Sequence, residues 1–303
     1  MNPRNLAKAE SMCALLGLVA LLSCPVHLAA QTVTLKAVAD TTLFESSPNN
    51  NMGSEPTMNS GQRRKGGRTR GLVRFDLSAI PSDAIVTSAA LTLGVVKSPS
   101  GGANSTFDLR RVLVLWGEGA KTGQGGGSLA TANEATWNSR LHSVTTWASP
   151  GGQIGADFSS TISASKSVSG NASYVFMNLA SDVQGWLNSP ASNNGWVFSS
   201  QSETTPTTIR RFGTREAPSS APSLRIDFVL PPRISAVERK GGAFSLRFNA
   251  AANQTYEVQF RDAVDTGSWM TLTNIGPNAA KGEAVANDSL SASPHRFYRV
   301  RLP

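Results

Sequence analysis

The stretch Leu72-Val73-Arg74-Phe75-Asp76-Leu77 alternates apolar and charged side chains without a break. Successive side chains of an extended chain point to opposite faces, so Val73, Phe75 and Leu77 face one way while Arg74 and Asp76 face the other. That is a half-buried strand. The same period of two recurs at Leu91, Leu93 and Val95, at Phe107 and Leu109, at Val175, Met177 and Leu179, at Trp196 and Phe198, and at Leu224, Ile226, Phe228 and Leu230. Turn formers punctuate these runs, among them Ser98-Pro99-Ser100-Gly101-Gly102 and Ser149-Pro150-Gly151-Gly152. Many short strands spaced in this way predict an all-β fold, an antiparallel β-sandwich. One helix interrupts the pattern. Val183, Trp186 and Leu187 fall at i, i+3 and i+4 behind a candidate cap at Ser181-Asp182, and Asn188-Ser189-Pro190 stops the run.

The chain has 303 residues, 40% of them hydrophobic, too apolar for a disordered protein. Lys and Arg number 28 against 20 Asp and Glu, a formal charge of +8. Residues 1–30 read as a leader: Arg4 and Lys8 precede an apolar run from Met12 to Leu22, followed by Pro25 and the small pair Ala29-Ala30. This is the layout of a secretory signal peptide, and the run is shorter than the roughly 20 residues a membrane span needs. The expected location is therefore extracellular. A second processing reading stays open, because Leu21-Leu22-Ser23-Cys24 resembles a bacterial lipobox that would lipidate Cys24 and anchor the chain at the cell surface. Cys13 and Cys24 are the only cysteines, so a chain without the leader folds with no disulfide and no thiolate metal site.

Pro231-Pro232 marks a boundary, since a strand cannot continue through two residues that lack an amide donor. The expected organisation is a leader at 1–30, a β-sandwich at 31–231 and a smaller β-sandwich module at 232–303. The latter draws its strands from Phe244-Leu246-Phe248, Tyr256-Val258-Phe260 and the closing Phe297 to Leu302, with Trp269 and Leu272 as further core candidates.

Several separated motifs carry a family resemblance over residues 35 to 230. They are Ala39-Asp40-Thr41-Thr42; Pro48-Asn49-Asn50-Asn51-Met52-Gly53; Leu72 to Ser78 leading through Ala84-Ile85-Val86-Thr87-Ser88-Ala89 into Leu91-Thr92-Leu93; Glu134-Ala135-Thr136-Trp137-Asn138; Val183 with Trp186; Asn193-Asn194-Gly195-Trp196; Phe212 with Arg215-Glu216; and Pro222-Ser223-Leu224-Arg225-Ile226. In this order the region resembles the secreted DNRLRE-type modules, also classed as family 96 carbohydrate-binding modules. The resemblance implies a jelly-roll-like β-sandwich exported from bacteria or archaea, often attached to polysaccharide-degrading enzymes, with acidic polysaccharides such as alginate among its ligands; it does not imply catalysis. The Gly-rich stretch from Gly117 to Gly127 departs from the family pattern as an enlarged loop. From Ile234 onward the tail looks like the fibronectin-like modules of secreted bacterial proteins.

Arg63-Arg64-Lys65, Arg68, Arg70 and Arg74 form the densest basic stretch; Arg210, Arg211 and Arg215 form a second. The planar fork of Arg matches a carboxylate with two hydrogen bonds, which suits an acidic polysaccharide partner. Sugar rings pack on aromatic faces, so Trp116, Trp137, Trp147 and Trp196 are platform candidates, although Trp186 and Trp196 lie in core-like patterns. The expected ligand set is Arg63, Arg64, Arg68, Arg70, Trp137, Trp147, Arg210 and Arg215. No nucleic-acid-binding fingerprint occurs, so nucleic acid is not an expected partner, and a membrane is one only if Cys24 carries lipid. Beyond the leader the histidines are His142 and His295, with no His-Glu-x-x-His motif, so no transition-metal cofactor is expected. Asp40, Asn51 and Glu55 are the calcium candidates, without EF-hand spacing. Two alternatives stay beside the non-catalytic binding reading. One is a structural or adhesive surface protein without sugar specificity; the other is a polysaccharide lyase with His142 or Tyr174 as base and Arg140 neutralising the uronate.

Overall fold

The computed structural model describes residues 31–123, 125–240, 242–289 and 296–303. The leader, with both readings of its processing and Cys24, lies outside the described residues, as does His295. Ten strands build the first unit. They are β1 (Gln31–Phe44), β2 (Thr57–Gln62), β3 (Arg68–Phe75), β4 (Ile85–Lys97), β5 (Ser105–Arg111), β6 (Ala164–Val168), β7 (Ser173–Phe176), β8 (Trp196–Ser200), β9 (Arg210–Gly213) and β10 (Ser223–Val229), with α1 (Ala180–Asn188) before β8. Their order is β1-β10-β4-β9-β2-β3-β8-β5-β6, with β7 on β4, and every pairing in it is antiparallel. β1 also pairs with β3, closing a ring. It does so by changing partner part-way: Gln31 to Lys36 runs against β10, and after an irregularity at Ala37/Ala39 the rest runs against β3. The extra residue of a bulge bends a strand sharply enough to serve two sheets. The result is the all-β sandwich that the alternation predicts.

The interior collects the alternating residues. Val73 and Phe75 from β3, Leu91 and Leu93 from β4, Phe107 and Leu109 from β5, Trp196 and Phe198 from β8, Phe212 from β9 and Leu224 and Ile226 from β10 form one buried cluster with Trp186 of α1. Aromatic edges meet faces within it, at 4.5 Å between Trp186 and Trp196 and 5.0 Å between Phe198 and Phe212. Gly71 permits this packing, since a Cβ there would stand 2.0 Å from a Phe198 ring carbon.

Three local expectations need correction. In β7 the buried residue is Phe176, while Val175 and Met177 face solvent. Asn178 then takes a positive φ of 66°, which ends the strand and turns Leu179 back into the core. The helix has Leu179 at its N-cap with no side-chain cap; Asp182 instead accepts the indole N–H of Trp196 at 2.8 Å. Finally, β3 and β8 are buried on both faces. Leu72 and Val197 join Leu43 of β1 and Trp116, Ala135, Trp137, Trp147 and Phe158, from the long excursion between β5 and β6, in a second cluster.

The second unit holds β11 (Ile234–Lys240), β12 (Ala243–Ala250), β13 (Tyr256–Arg261), β14 (Met270–Ile275), β15 (Gly282–Ser289) and β16 (Phe297–Arg301). They form two three-stranded sheets, β11-β12-β15 and β14-β13-β16, over a core of Leu246, Phe248, Tyr256, Val258, Ala284 and Ala286. Leu272 packs against that core, whereas Trp269 does not join it. Among the described residues no helix is long and apolar enough to cross a membrane.

Candidate functional site

Most of the arginines expected to meet a ligand are engaged by the protein. Arg210 is 1% exposed, and its guanidinium donates to five backbone carbonyls: Ser169 (2.7 Å), Ala103 (2.8 Å), Ile209 (2.9 Å), Thr208 (3.1 Å) and Thr207 (3.3 Å). It is an internal staple and reaches no ligand. Arg70 forks onto Glu203 at 2.6 and 2.7 Å and donates to the carbonyls of Gly151 and Gly152. Arg68 pairs with Glu45 at 2.7 Å, and that hydrogen bond holds the Glu45 carboxyl below its ordinary range. Arg215 is shared between Glu118 at 2.6 Å and Glu216 at 3.1 Å. A charge already neutralised within hydrogen-bond distance has little left for a ligand.

Four of the cations that have no ion-pair partner among the described residues gather in one place. Arg63, Arg64, Lys97 and Arg211 line one groove with Ser98, Pro99 and Ile209, a cavity of about 250 Å³. A neighbouring cavity of about 440 Å³ continues it along Arg64, Pro99, Ser100, Thr207 and Ile209. None of the four makes an ion pair among the described residues. Arg63 donates to the Ser46 hydroxyl at 2.8 Å, and burial together with the charge of Arg211 lowers its pKa. Lys97 of β4 stands directly opposite Arg211 of β9 in the strand register. Like charges facing each other across an antiparallel pair destabilise it, so this pair is repulsive. The Ser98 hydroxyl, in the same groove, is buried without a hydrogen-bond partner among the described residues.

Arg63 and Arg64, two of the residues in the expected ligand set, line this groove together with Lys97 and Arg211, which are not in that set. The signal for Arg211 is in the sequence. Adjacent strand residues point to opposite faces, so one of Arg210 and Arg211 must turn inward; the structure buries Arg210 and turns Arg211 to the groove. Lys97 carries no such signal, because only the folding of β4 against β9 brings it to the arginines.

Trp137 and Trp147 correct the expected stacking platform. They are 4% and 3% exposed and belong to the second core. Trp137 lies beneath Arg68 and Arg70, whose guanidinium carbons are 5.1 and 5.4 Å from its ring centre. The Trp147 indole donates to the Thr136 carbonyl at 2.8 Å. Both rings support the arginine-bearing strand β3 and the loops around it, and neither presents a face to solvent.

The calcium candidates are placed as structural groups. Asn51 is fully buried, with its amide donating to the carbonyls of Glu118 and Ala135 and its oxygen accepting from the Gly53 and Lys121 amides. Glu55 accepts the Gly123 amide at 3.0 Å. Asp40 accepts the Arg215 amide at 2.7 Å, while its other oxygen is buried without a partner; burial pushes its carboxyl up to about 8. Among the described residues no group of three His, Cys, Asp or Glu side chains is placed to hold a metal. Of the residues named for lyase chemistry, Tyr174 spends its hydroxyl on the Ser169-Gly170 turn, donating to the Gly170 carbonyl at 2.9 Å. Arg140 donates to the Leu115 carbonyl at 2.9 Å.

A closed antiparallel sandwich with a shallow, unneutralised basic groove beside strands β4 and β9 has the form of a module that holds a ligand on its surface. The chain belongs to carbohydrate-binding module family 96, whose family model matches residues 31–228. Residues 31–228 are therefore a carbohydrate-binding module. No curated protein matches the chain.

Proposed function

We propose that the protein is a secreted, non-catalytic binder of an acidic polysaccharide, held in the groove of Arg63, Arg64, Lys97 and Arg211. The observation that carries this reading is the Lys97–Arg211 juxtaposition: two facing cations with no carboxylate partner among the described residues, in a carbohydrate-binding module. A carboxylated or sulfated sugar relieves their repulsion, and the orphaned Ser98 hydroxyl finds a partner in the same ligand. A neutral glycan would meet Ser98 with its own hydroxyls but leave the repulsion unrelieved, and no tryptophan of this module that the sequence offers as a platform presents an open ring for it to stack on.

Exposed ion pairs contribute about 0–1 kcal/mol each, so four give at most roughly 4 kcal/mol, a millimolar site. Affinity electrophoresis of residues 31–303 through gels of alginate, pectate, a sulfated glycan and a neutral glucan, at low and moderate salt, tests the assignment. The expected result is retardation by one acidic polymer in preference to the other polyanions, weakening with salt but keeping that preference, and lost in Lys97→Gln/Arg211→Gln. Equal retardation by every polyanion, abolished by salt screening, refutes it in favour of an adhesive role. Release of soluble product from the polymer refutes the non-catalytic part.

A further inference from the structure

A single millimolar groove holds a polymer poorly, and the second unit offers the means to hold it twice. In the sheet β14-β13-β16, Glu257, Gln259 and Arg261 of β13 stand opposite Arg301, Arg299 and Phe297 of β16. Side chains two apart share a face, so this face lies opposite the one that sends Tyr256 and Val258 into the core. Trp269, half-buried just before β14, sits here. The guanidinium carbons of Arg261 and Arg299 lie 4.6 and 4.3 Å from its ring centre.

These two arginines are unlike their neighbours. Arg296 is paired with Asp262 and Asp288, and Arg301 with Glu257, while Arg261 and Arg299 have no carboxylate partner among the described residues. Arg299 spends one donor on Gln259 at 2.8 Å. Arg261 spends none among the described residues, where its Nε is buried and unpartnered. A ring that holds two guanidiniums in place lowers the entropy a ligand must overcome, and the remaining N–H groups form forks of the kind that match a carboxylate.

We infer that the outward face of β14-β13-β16 is a second subsite for the same acidic polysaccharide, with Arg261 and Arg299 as its forks and Trp269 as their support. The inference rests on the reading of the groove given above. Both subsites lie on one chain joined through Pro231-Pro232, so a polymer long enough to span them engages the second at high effective concentration.

The test is an NMR titration of the full chain from residue 31 with a short oligouronate at moderate salt. It follows the Trp269 indole, the Arg261 and Arg299 Nε–H signals and the Lys97 and Arg211 amides. Both groups of signals are expected to move. Arg261→Gln/Arg299→Gln should silence the Trp269 response, leave the groove response intact and weaken retention of long polymer by roughly tenfold. Arg261→Lys/Arg299→Lys, which keeps charge without the fork, should be intermediate. If the groove signals move and the Trp269, Arg261 and Arg299 signals do not, the second subsite is refuted and the groove stands. If only the second set moves, the groove assignment fails while the subsite stands. Equal shifts with a short polyphosphate overturn the assignment to sugar.

Discussion

Replacing Arg210 by Met separates a structural arginine from a ligand-binding one. The substitution keeps an unbranched apolar stem but removes five hydrogen bonds and leaves the carbonyls of Ala103, Ser169, Thr207, Thr208 and Ile209 without that partner. These carbonyls come from three separate loops, so no single rearrangement satisfies them all. A buried group left without its hydrogen-bond partner costs about 1–3 kcal/mol, so several carbonyls unpaired at once cost about 3–5 kcal/mol. For a unit of this size each kcal/mol lowers the melting midpoint by about 2–4 °C, so the expected fall is roughly 6–20 °C. Calorimetry or near-UV circular dichroism measures it directly. Because Thr207 and Ile209 also line the groove, polymer retention should weaken in Arg210→Met, but only together with the loss of stability. Arg211→Gln should show the reverse, weak binding at an unchanged midpoint. A melting midpoint within about 2 °C of the parent, with retention lost as completely as in Arg211→Gln, would refute the staple and restore Arg210 to the ligand set.

Lys97→Glu turns the repelling pair into an attractive one. Thermal stability should rise by about 0.2–1 kcal/mol while retention by acidic polymer falls, and a variant that loses both contradicts the argument from like charges. Gly71→Ala drives a Cβ into the Phe198 ring; overpacking of this kind costs about 1–3 kcal/mol and should appear in a urea melt, with an unchanged midpoint counting against the tight packing described. Asp40 tests linkage. Desolvation by burial raises its carboxyl from 3.8 to about 8, against the lowering effect of the Arg215 amide and with Glu216 and Glu118 adding to the rise. The folded state therefore binds a proton that the unfolded state releases, so this contribution is full below about pH 4 and is lost as pH rises to 8. Asp40→Asn should flatten the fall in melting midpoint between pH 5 and 8; an unaltered profile would place the titrating group elsewhere.

The alternation at Leu72 to Leu77 and its echoes made the sandwich legible, because period two is a local property of a chain with one buried face. It misleads where local rules are overridden. The run Val175, Met177, Leu179 keeps its period in sequence, yet Asn178 takes a left-handed conformation and shifts the phase. Val197 and Leu72 read as outward residues of an exposed strand face until the excursion between β5 and β6 covers that face with Trp116, Trp137 and Trp147. The site was half legible. Arg63 and Arg64 sit on a turn, where charge density alone marks a surface. Whether Arg68, Arg70 and Arg215 are free depends on Glu45, Glu203 and Glu118, which are far from them in sequence and meet them only through tertiary folding. Trp269 reads as core from its bulk, and its two guanidinium neighbours come from other strands.

The change of partner along β1 also decides how the first unit bears mechanical load. Its first strand runs antiparallel beside its last, with Gln31 opposite Phe228. Hydrogen bonds between antiparallel strands lie across the strand direction. Tension applied between these two ends therefore loads the bonds singly, beginning at Gln31 and Phe228, and the strands part as a zipper does. The zipper reaches Lys36 and Ser223 and there meets the bulge, beyond which β1 is held by β3. A tether pulling on both ends of this module would thus extend it in two stages, a compliant one that opens β1 from β10 and a stiffer one that begins where the strand crosses to its second sheet.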